Sequence, residues 1–504
     1  MDDRPTGRAS AAFYPVIAIV SLSTLLAIVR WFEYSPSYTN DSWEYLGLGR
    51  AISQGRFFTV DNGFRTPIFP LYLAATGNRP RWVFAGHLAI GVFISVLLFL
   101  IFKRATGRTG IGLAVAAIYN LNPSTVLFQT RVLTEMLATL FVTVGAYWAV
   151  QACSARTKFA SNLFLSSLAF SLASLTRPEY QLLPLIVIGV VILARSVLEC
   201  GGLTPPFGGA AYNDEAGSLM ESFKGSTRQG KGGVKPPHSK ALRAIGRAAL
   251  PALGPFIILI LGWSALNYLR FGWFTLTTMT GYHLTQYSGP YLNEAPPQYE
   301  KLAAIYLRNQ DIELGLRDTH VDAFWRARPE LLRATGLNDA QISRIFIRIS
   351  LPIIAAHPDA YFAAVKRSWQ VFWRPPLYAR GCNLGDLRKG LRAVLAGQAS
   401  WWERLFNYLY LPFEYAYVLA LVGPLFVKRW QPILWSPAML VMNTVILYTA
   451  VITSLFEPED NNRFKVPVES LILGLAITAV YLMANELRSW YERALVHRVP
   501  NEGV

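Results

Sequence analysis

The sequence predicts a polytopic, all-α membrane protein, and three observations carry that expectation. Of 504 residues, 53% are hydrophobic and 15% charged, whereas a soluble domain averages about a quarter charged residues. Apolar runs of roughly 20 residues, enough to cross a hydrocarbon core of about 30 Å, recur near 11–30, 82–102, 111–129, 132–151, 161–176, 180–198, 247–267, 405–427, 432–455 and 466–485. The net charge of +16 is spread between those runs and along one long loop, which suits the positive-inside pattern and anionic headgroups and speaks against nucleic acid. About ten (10–13) transmembrane helices are expected, with interfacial helices in the first outer loop and a small, mainly helical exoplasmic domain.

Residues 1–198 read as an N-terminal transmembrane module. Its first apolar run lacks a small-residue cleavage site and is expected to be a retained span. The first outer loop, 31–81, opens with Asn40-Asp41-Ser42-Trp43-Glu44. There Asp41 is the expected N-cap and Glu44 its capping-box partner. Tyr45, Leu48 and Ile52 recur at helical spacing and Gly55 stops the pattern. Such a helix next to a span should lie in the interface. The 111–129 and 132–151 runs are separated by little more than Thr130 and Arg131, a tight hairpin, with Pro123 kinking or ending the first of them.

Residues 199–246 are rich in Gly, Pro, Ser and Lys, repeat GGLTPP as GGVKPP, and read as a disordered cytoplasmic linker. A span at 247–267 leads to the exoplasmic domain at 268–403, with helical patterns near 298–316, 321–335, 339–356 and 358–373. Its Trp- and Arg-loaded 357–375 segment reads as a helix resting on headgroups. Residues 404–504 supply the last transmembrane helices and a cytoplasmic tail. With the N-terminus inside, Lys103, Arg104, Arg108, Arg156, Lys158, Lys428 and Arg429 fall in inner loops. The five arginines of 31–81 fall outside and call for another explanation. Three cysteines, Cys153, Cys200 and Cys382, offer no disulfide framework and no zinc spacing.

On this topology Asp41, Glu44, Arg65, Glu135, Arg177, Glu179, Arg463 and Lys465 converge on the outer face. Glu135 lies one turn into an apolar run, where an ionisable residue costs roughly 2.5–3.5 kcal/mol, so it is a functional candidate; pairing with Arg131 at i−4 is the plainer reading. Carboxylates beside arginines suit one chemistry well. A carboxylate takes the proton of an acceptor hydroxyl, and arginines neutralise a departing phosphate.

NDSWEYLGLGRAISQGRF followed by RTPIFPLYLA resembles the first outer loop of the GT-C superfamily of membrane glycosyltransferases. The resemblance points to the branch of protein O-mannosyltransferases, aminoarabinose transferases and bacterial lipopolysaccharide-core sugar transferases. It continues through VLTEMLATLF, SLTRPEY, NYLRFGWFTLT and RFKVPVESLILGLA. It implies inverting sugar transfer from a polyprenyl-phosphate donor on the exoplasmic side. It also implies Asp41 at the reaction centre, Glu135 as the second-loop carboxylate, and Arg177 and Arg463 on the lipid phosphate. This chain has Asp41-Ser42 where some branches carry an acidic pair, so a lipid, polysaccharide or protein acceptor stays open.

The resulting expectation has Asp41 as general base and Glu135 orienting the acceptor or assisting the base. Arg65, Arg177, Arg463 and Lys465 handle phosphate, Tyr282 and His283 are candidates for the acceptor cleft, and Glu44 is a structural cap. No metal ligand is assigned and no cofactor is certain, with a divalent metal ion left open. The expected partners are the lipid-linked donor, its acceptor and membrane lipids, in a plasma (inner) membrane with the site facing the periplasm or exterior. The alternative is a transporter or flippase of lipid-linked sugars, although no inverted repeat is evident. A non-catalytic membrane scaffold is the third reading.

Overall fold

The computed structural model describes residues 6–154, 157–200, 238–317, 322–375 and 401–496. The linker expected at 199–246 lies largely outside them, as does Cys382. In hydrocarbon, apolar segments satisfy their backbone groups internally, so each run becomes a helix. α1 (Thr6–Glu33) leads into three short helices, α2 (Asn40–Ser53), α3 (Phe57–Val60) and α4 (Ile68–Ala75), which build the first loop. Then follow α5 (Pro80–Thr106), α6 (Thr109–Leu121), α7 (Pro123–Thr130), α8 (Glu135–Ser154), α9 (Phe159–Ser174) and α10 (Leu183–Cys200). α11 (His238–Pro255) and α12 (Gly262–Phe271) flank a π-helical turn at Phe256–Leu261. Pro255, which lacks an N–H donor, sits just before that turn.

α13 (Thr280–Ser288), α14 (Glu300–Arg317), α15 (Ala323–Thr335), α16 (Asp339–Ala356) and α17 (Pro358–Phe372) form a helical lobe. α18 (Trp401–Phe426), α19 (Gln431–Leu434), α20 (Pro437–Phe456), α21 (Asn461–Phe464) and α22 (Val466–Val496) return to the bundle. The protein is a polytopic, all-α membrane protein.

Among the described residues, eight helices are long and apolar enough to cross a membrane, or nine if the bent α6–α7 pair is one span. The apolar runs expected near 111–129 and 161–176 correspond to the bent α6–α7 pair and to the 16-residue α9. α9 nevertheless runs back beside α8. Ser166 Oγ donates to Gly145 O midway (2.9 Å), and Arg177 just beyond α9 meets Glu135 at the start of α8. The α6–α7 bend is 52° and falls at Asn122-Pro123, as the proline suggests. Asn122 caps α7 by accepting the Ser124 N–H at 2.9 Å.

Beyond α7 the chain is extended, and it pins the first and second loops together. Ser37 N–H donates to Thr130 O (2.8 Å) and Val132 N–H donates to Ser37 O (3.0 Å). The first loop is also clamped to the lobe. Phe64 inserts into the lobe core beside Tyr282, Phe324 and Phe346, and Asn62 Nδ2 donates to Asp339 (3.1 Å). Gly63, at φ +77°, lets the strap pass against Thr278, whose N–H donates to Gly63 O (2.9 Å). Arg270 at the end of α12 holds Asp61 at 2.6 Å and caps Phe58 O and Asp61 O.

Basic residues gather at the bundle end away from the lobe. There Arg104 donates to Ser154, Arg108 lies over Tyr481, Arg195 lies over Phe159, and Arg429 pairs with Glu486.

Candidate functional site

Where the first, second and last loops meet the lobe, they enclose a cavity of ≈ 1590 Å³. Asp41, Glu44, Arg65, Arg177, Arg463, Tyr282 and His283 line it. The charged side chains form a chain of alternating sign. Arg65 donates to Glu44 (Nε, 2.8 Å) and to Asp41 (Nη2, 2.8 Å). Arg463 Nη1 reaches the other Asp41 oxygen at 3.1 Å, and its Nε bonds Glu135. Arg177 closes the row on Glu135 (3.0 Å) and on Glu179.

Local structure explains why each group stands there. α2 begins at Asn40 with Thr39 as N-cap and Ser42 completing the capping box. Asp41 is thus not the cap, and its carboxylate is free to point into the cavity. Glu44 is not a capping partner either, because its carboxylate is spent on Arg65. Glu135 is the first residue of α8, where the helix dipole favours a negative charge. It is wholly buried and does not line the cavity, standing behind Arg177 and Arg463. Glu135 therefore positions the two arginines. The expected Glu135–Arg131 pair is absent from the ion pairs Glu135 makes, which are with Arg177 and Arg463.

Lys465 also needs correction. It is 1% exposed and stands outside the cavity, donating to Arg374 O (2.9 Å) and facing Glu414 at 3.6 Å. Glu469 accepts from Tyr410 (2.8 Å) in the same group. Two residues apart along a helical turn, Arg463 and Lys465 point about 200° from one another, and only Arg463 reaches the site. Tyr282 presents its ring, while its hydroxyl donates to Asp339 O at 3.0 Å.

Electrostatics sort the titratable groups. Burial opposes the ionised form of Asp41, but Arg65 and Arg463 outweigh it and hold the carboxyl well below the usual range. Asp41 keeps 27% of its side chain accessible. Burial, helped by Arg65, lowers His283 to about 4, so its imidazole is neutral at pH 7. Glu457 was not singled out by the sequence because EPEDNNRF offers three acidic residues with nothing to rank them. It lines the cavity, is 8% exposed, and is pushed up to about 8 by burial and by Asp460.

Arg131 was read from the sequence only as a partner for Glu135, yet it lines the cavity. Among the described residues no group of three or more His, Cys, Asp or Glu converges to hold a metal. Asp41 directs both carboxylate oxygens at arginines, and Glu135 places its Oε1 between Arg177 and Arg463.

No known family model matches the chain, and no curated protein matches it.

Proposed function

We propose that the chain is an integral-membrane glycosyltransferase of the kind its loops resemble. It would transfer a sugar from a polyprenyl-phosphate donor to an acceptor hydroxyl, with inversion. The observation that carries the reading is the junction of three loops: Asp41 from the first, bridged through Arg463 from the last to Glu135 from the second, beside a cavity at one end of a lipid-embedded bundle. In the reaction the Asp41 carboxylate takes the acceptor O–H proton, and the oxygen attacks the anomeric carbon from the face opposite the leaving group. The anomeric C–O bond breaks, and its electron pair leaves on the lipid phosphate, neutralised by arginine.

Asp41 clamped between two arginines is a weak base. A phosphate arriving in the cavity competes for those guanidiniums and returns basicity to Asp41. The donor would thus switch on its own base. Glu457, protonated at neutral pH, can supply a hydrogen-bond donor in the cavity lining. Tyr282 and His283 contribute a flat, neutral surface suited to an acceptor ring.

The basic end away from the lobe supports a cytoplasmic orientation for that end, which faces the cavity to the exterior or periplasm. We place the protein in a plasma (inner) membrane. The test is transfer in membranes supplied with radiolabelled polyprenyl-phosphate sugars. A labelled acceptor product supports the enzyme. Labelled lipid that changes leaflet without any product supports the flippase instead.

A further inference from the structure

We infer that Arg131 is the residue that receives the anionic group of the ligand, a phosphate ester, at the inner wall of the cavity. The inference rests on the reading above and names which of its cations meets the phosphate. Every other arginine singled out around the cavity is committed to a carboxylate. Arg65 holds Asp41 and Glu44, Arg463 holds Asp41 and Glu135, Arg177 holds Glu135 and Glu179, and Arg328 grips Asp339 with two bonds of 2.7 and 2.6 Å. Arg131 differs. It is 3% exposed, and among the described residues it makes no ion pair and its buried Nε and Nη2 have no hydrogen-bond partner. Its guanidinium lies over the Phe128 ring at 5.3 Å. A buried guanidinium without a counter-charge or acceptor is costly to maintain, and a cost of that kind is retained where a ligand repays it.

The chain also holds Arg131 in place. The extended backbone at Arg131 is bridged to Ser37, three residues before α2 begins. An anion on Arg131 is thereby anchored to the segment that leads into Asp41. The planar fork of guanidinium donors fits two phosphate oxygens at once, whereas the paired arginines would first have to release a carboxylate. Arg131 would then make the first contact, with Arg463 or Arg65 joining as the phosphate settles.

The test is equilibrium binding by the purified full chain in nanodiscs of neutral phosphatidylcholine, comparing wild type, Arg131→Gln and Arg131→Lys. The probes are a short-chain polyprenyl monophosphate, inorganic phosphate and a nucleoside diphosphate. The expected result is that Arg131→Gln weakens the polyprenyl phosphate by about 10–100-fold and that Arg131→Lys weakens it less. The ligand-free melting temperature of Arg131→Gln should equal or exceed that of wild type, because an unpaired buried charge has gone.

Equal affinity in wild type and Arg131→Gln overturns the inference. So does a melting temperature that falls in Arg131→Gln and recovers in Arg131→Lys, since that marks a structural arginine. Arg131-dependent binding of the soluble phosphates in preference to the lipid upholds the anion site and assigns it a soluble source. Arg131-dependent binding without any sugar transfer sinks the glycosyltransferase reading and leaves this one standing. Transfer that survives Arg131→Gln at wild-type affinity does the reverse.

Discussion

At the scale of single residues, the site is a set of carboxylates whose environments pull them apart. Asp41 is held ionised by two arginines, while Glu457 is held neutral by burial and by Asp460. Glu457 yields a pH prediction with a definite sign. Its folded-state value of about 8 lies above the ordinary 4.5, so its contribution is favourable below about 4.5 and is lost as pH rises towards 8. Glu457→Gln removes that loss. Its melting temperature should match wild type near pH 5 and exceed it by about 1–3 °C near pH 9. Parallel pH curves for the two proteins would show that Glu457 does not titrate in that window.

Glu135 supports the opposite expectation. With no solvent access and two cationic partners, Glu135→Ala leaves positive charges buried together. That should cost about 3–5 kcal/mol, visible as a lowered melting temperature at every pH from 5 to 9.

At the scale of elements, the positions of the helices were legible in the sequence, and the pairing of side chains was not. The lobe helices Glu300–Arg317, Ala323–Thr335, Asp339–Ala356 and Pro358–Phe372 start and stop close to the expected 298–316, 321–335, 339–356 and 358–373. Asn338 caps one of them, Pro358 opens another, and Gly336 ends a third in the left-handed region. Arg131 looked like a partner for Glu135 because the spacing is i−4. That spacing brings side chains together only within a helix, and the helix begins at Glu135 itself. Asp41 looked like a cap because the start of α2 lies two residues earlier than the motif suggests, a usual margin for helix ends.

One element contact is tight enough to test directly. Gly281 in α13 packs against α16, where a Cβ would come within 1.8 Å of Ser343 O, and its N–H donates to Ser343 Oγ at 2.9 Å. Gly281→Ala should push α13 away, displacing Tyr282 and His283. Limited proteolysis should then cut the lobe faster than in wild type, and unchanged cleavage would show that the interface yields without cost.

At the scale of the whole molecule, the fold brings together loops separated by more than four hundred residues. Asp41 and Arg463 are 422 positions apart. Composition and run length sufficed for the class of fold, because burial in lipid leaves helices as the available solution. They did not distinguish full-length spans from the short α9 and the broken α6–α7 pair. The convergence of charge was foreseen as a face, while the identity of each pair depends on packing that no local pattern encodes. The orientation has its own check. Cysteines placed at exposed Lys301 and Arg429 should react with a membrane-impermeant thiol reagent from opposite sides, Lys301→Cys from the exterior. Labelling of both from one side would contradict the topology.

The central claim is that Asp41 is the base of a sugar transfer. The most direct measurement compares glycosyl transfer by wild type and Asp41→Asn in membranes, with folded protein quantified. Asparagine keeps the shape and one of the two acceptor oxygens, Arg65 and Arg463 keep Glu44 and Glu135 as partners, and Thr39 still caps α2, so the fold should stand. The account predicts that transfer falls by about 10²–10⁴-fold while the amount of folded protein is unchanged. Transfer by Asp41→Asn at the wild-type rate would contradict it.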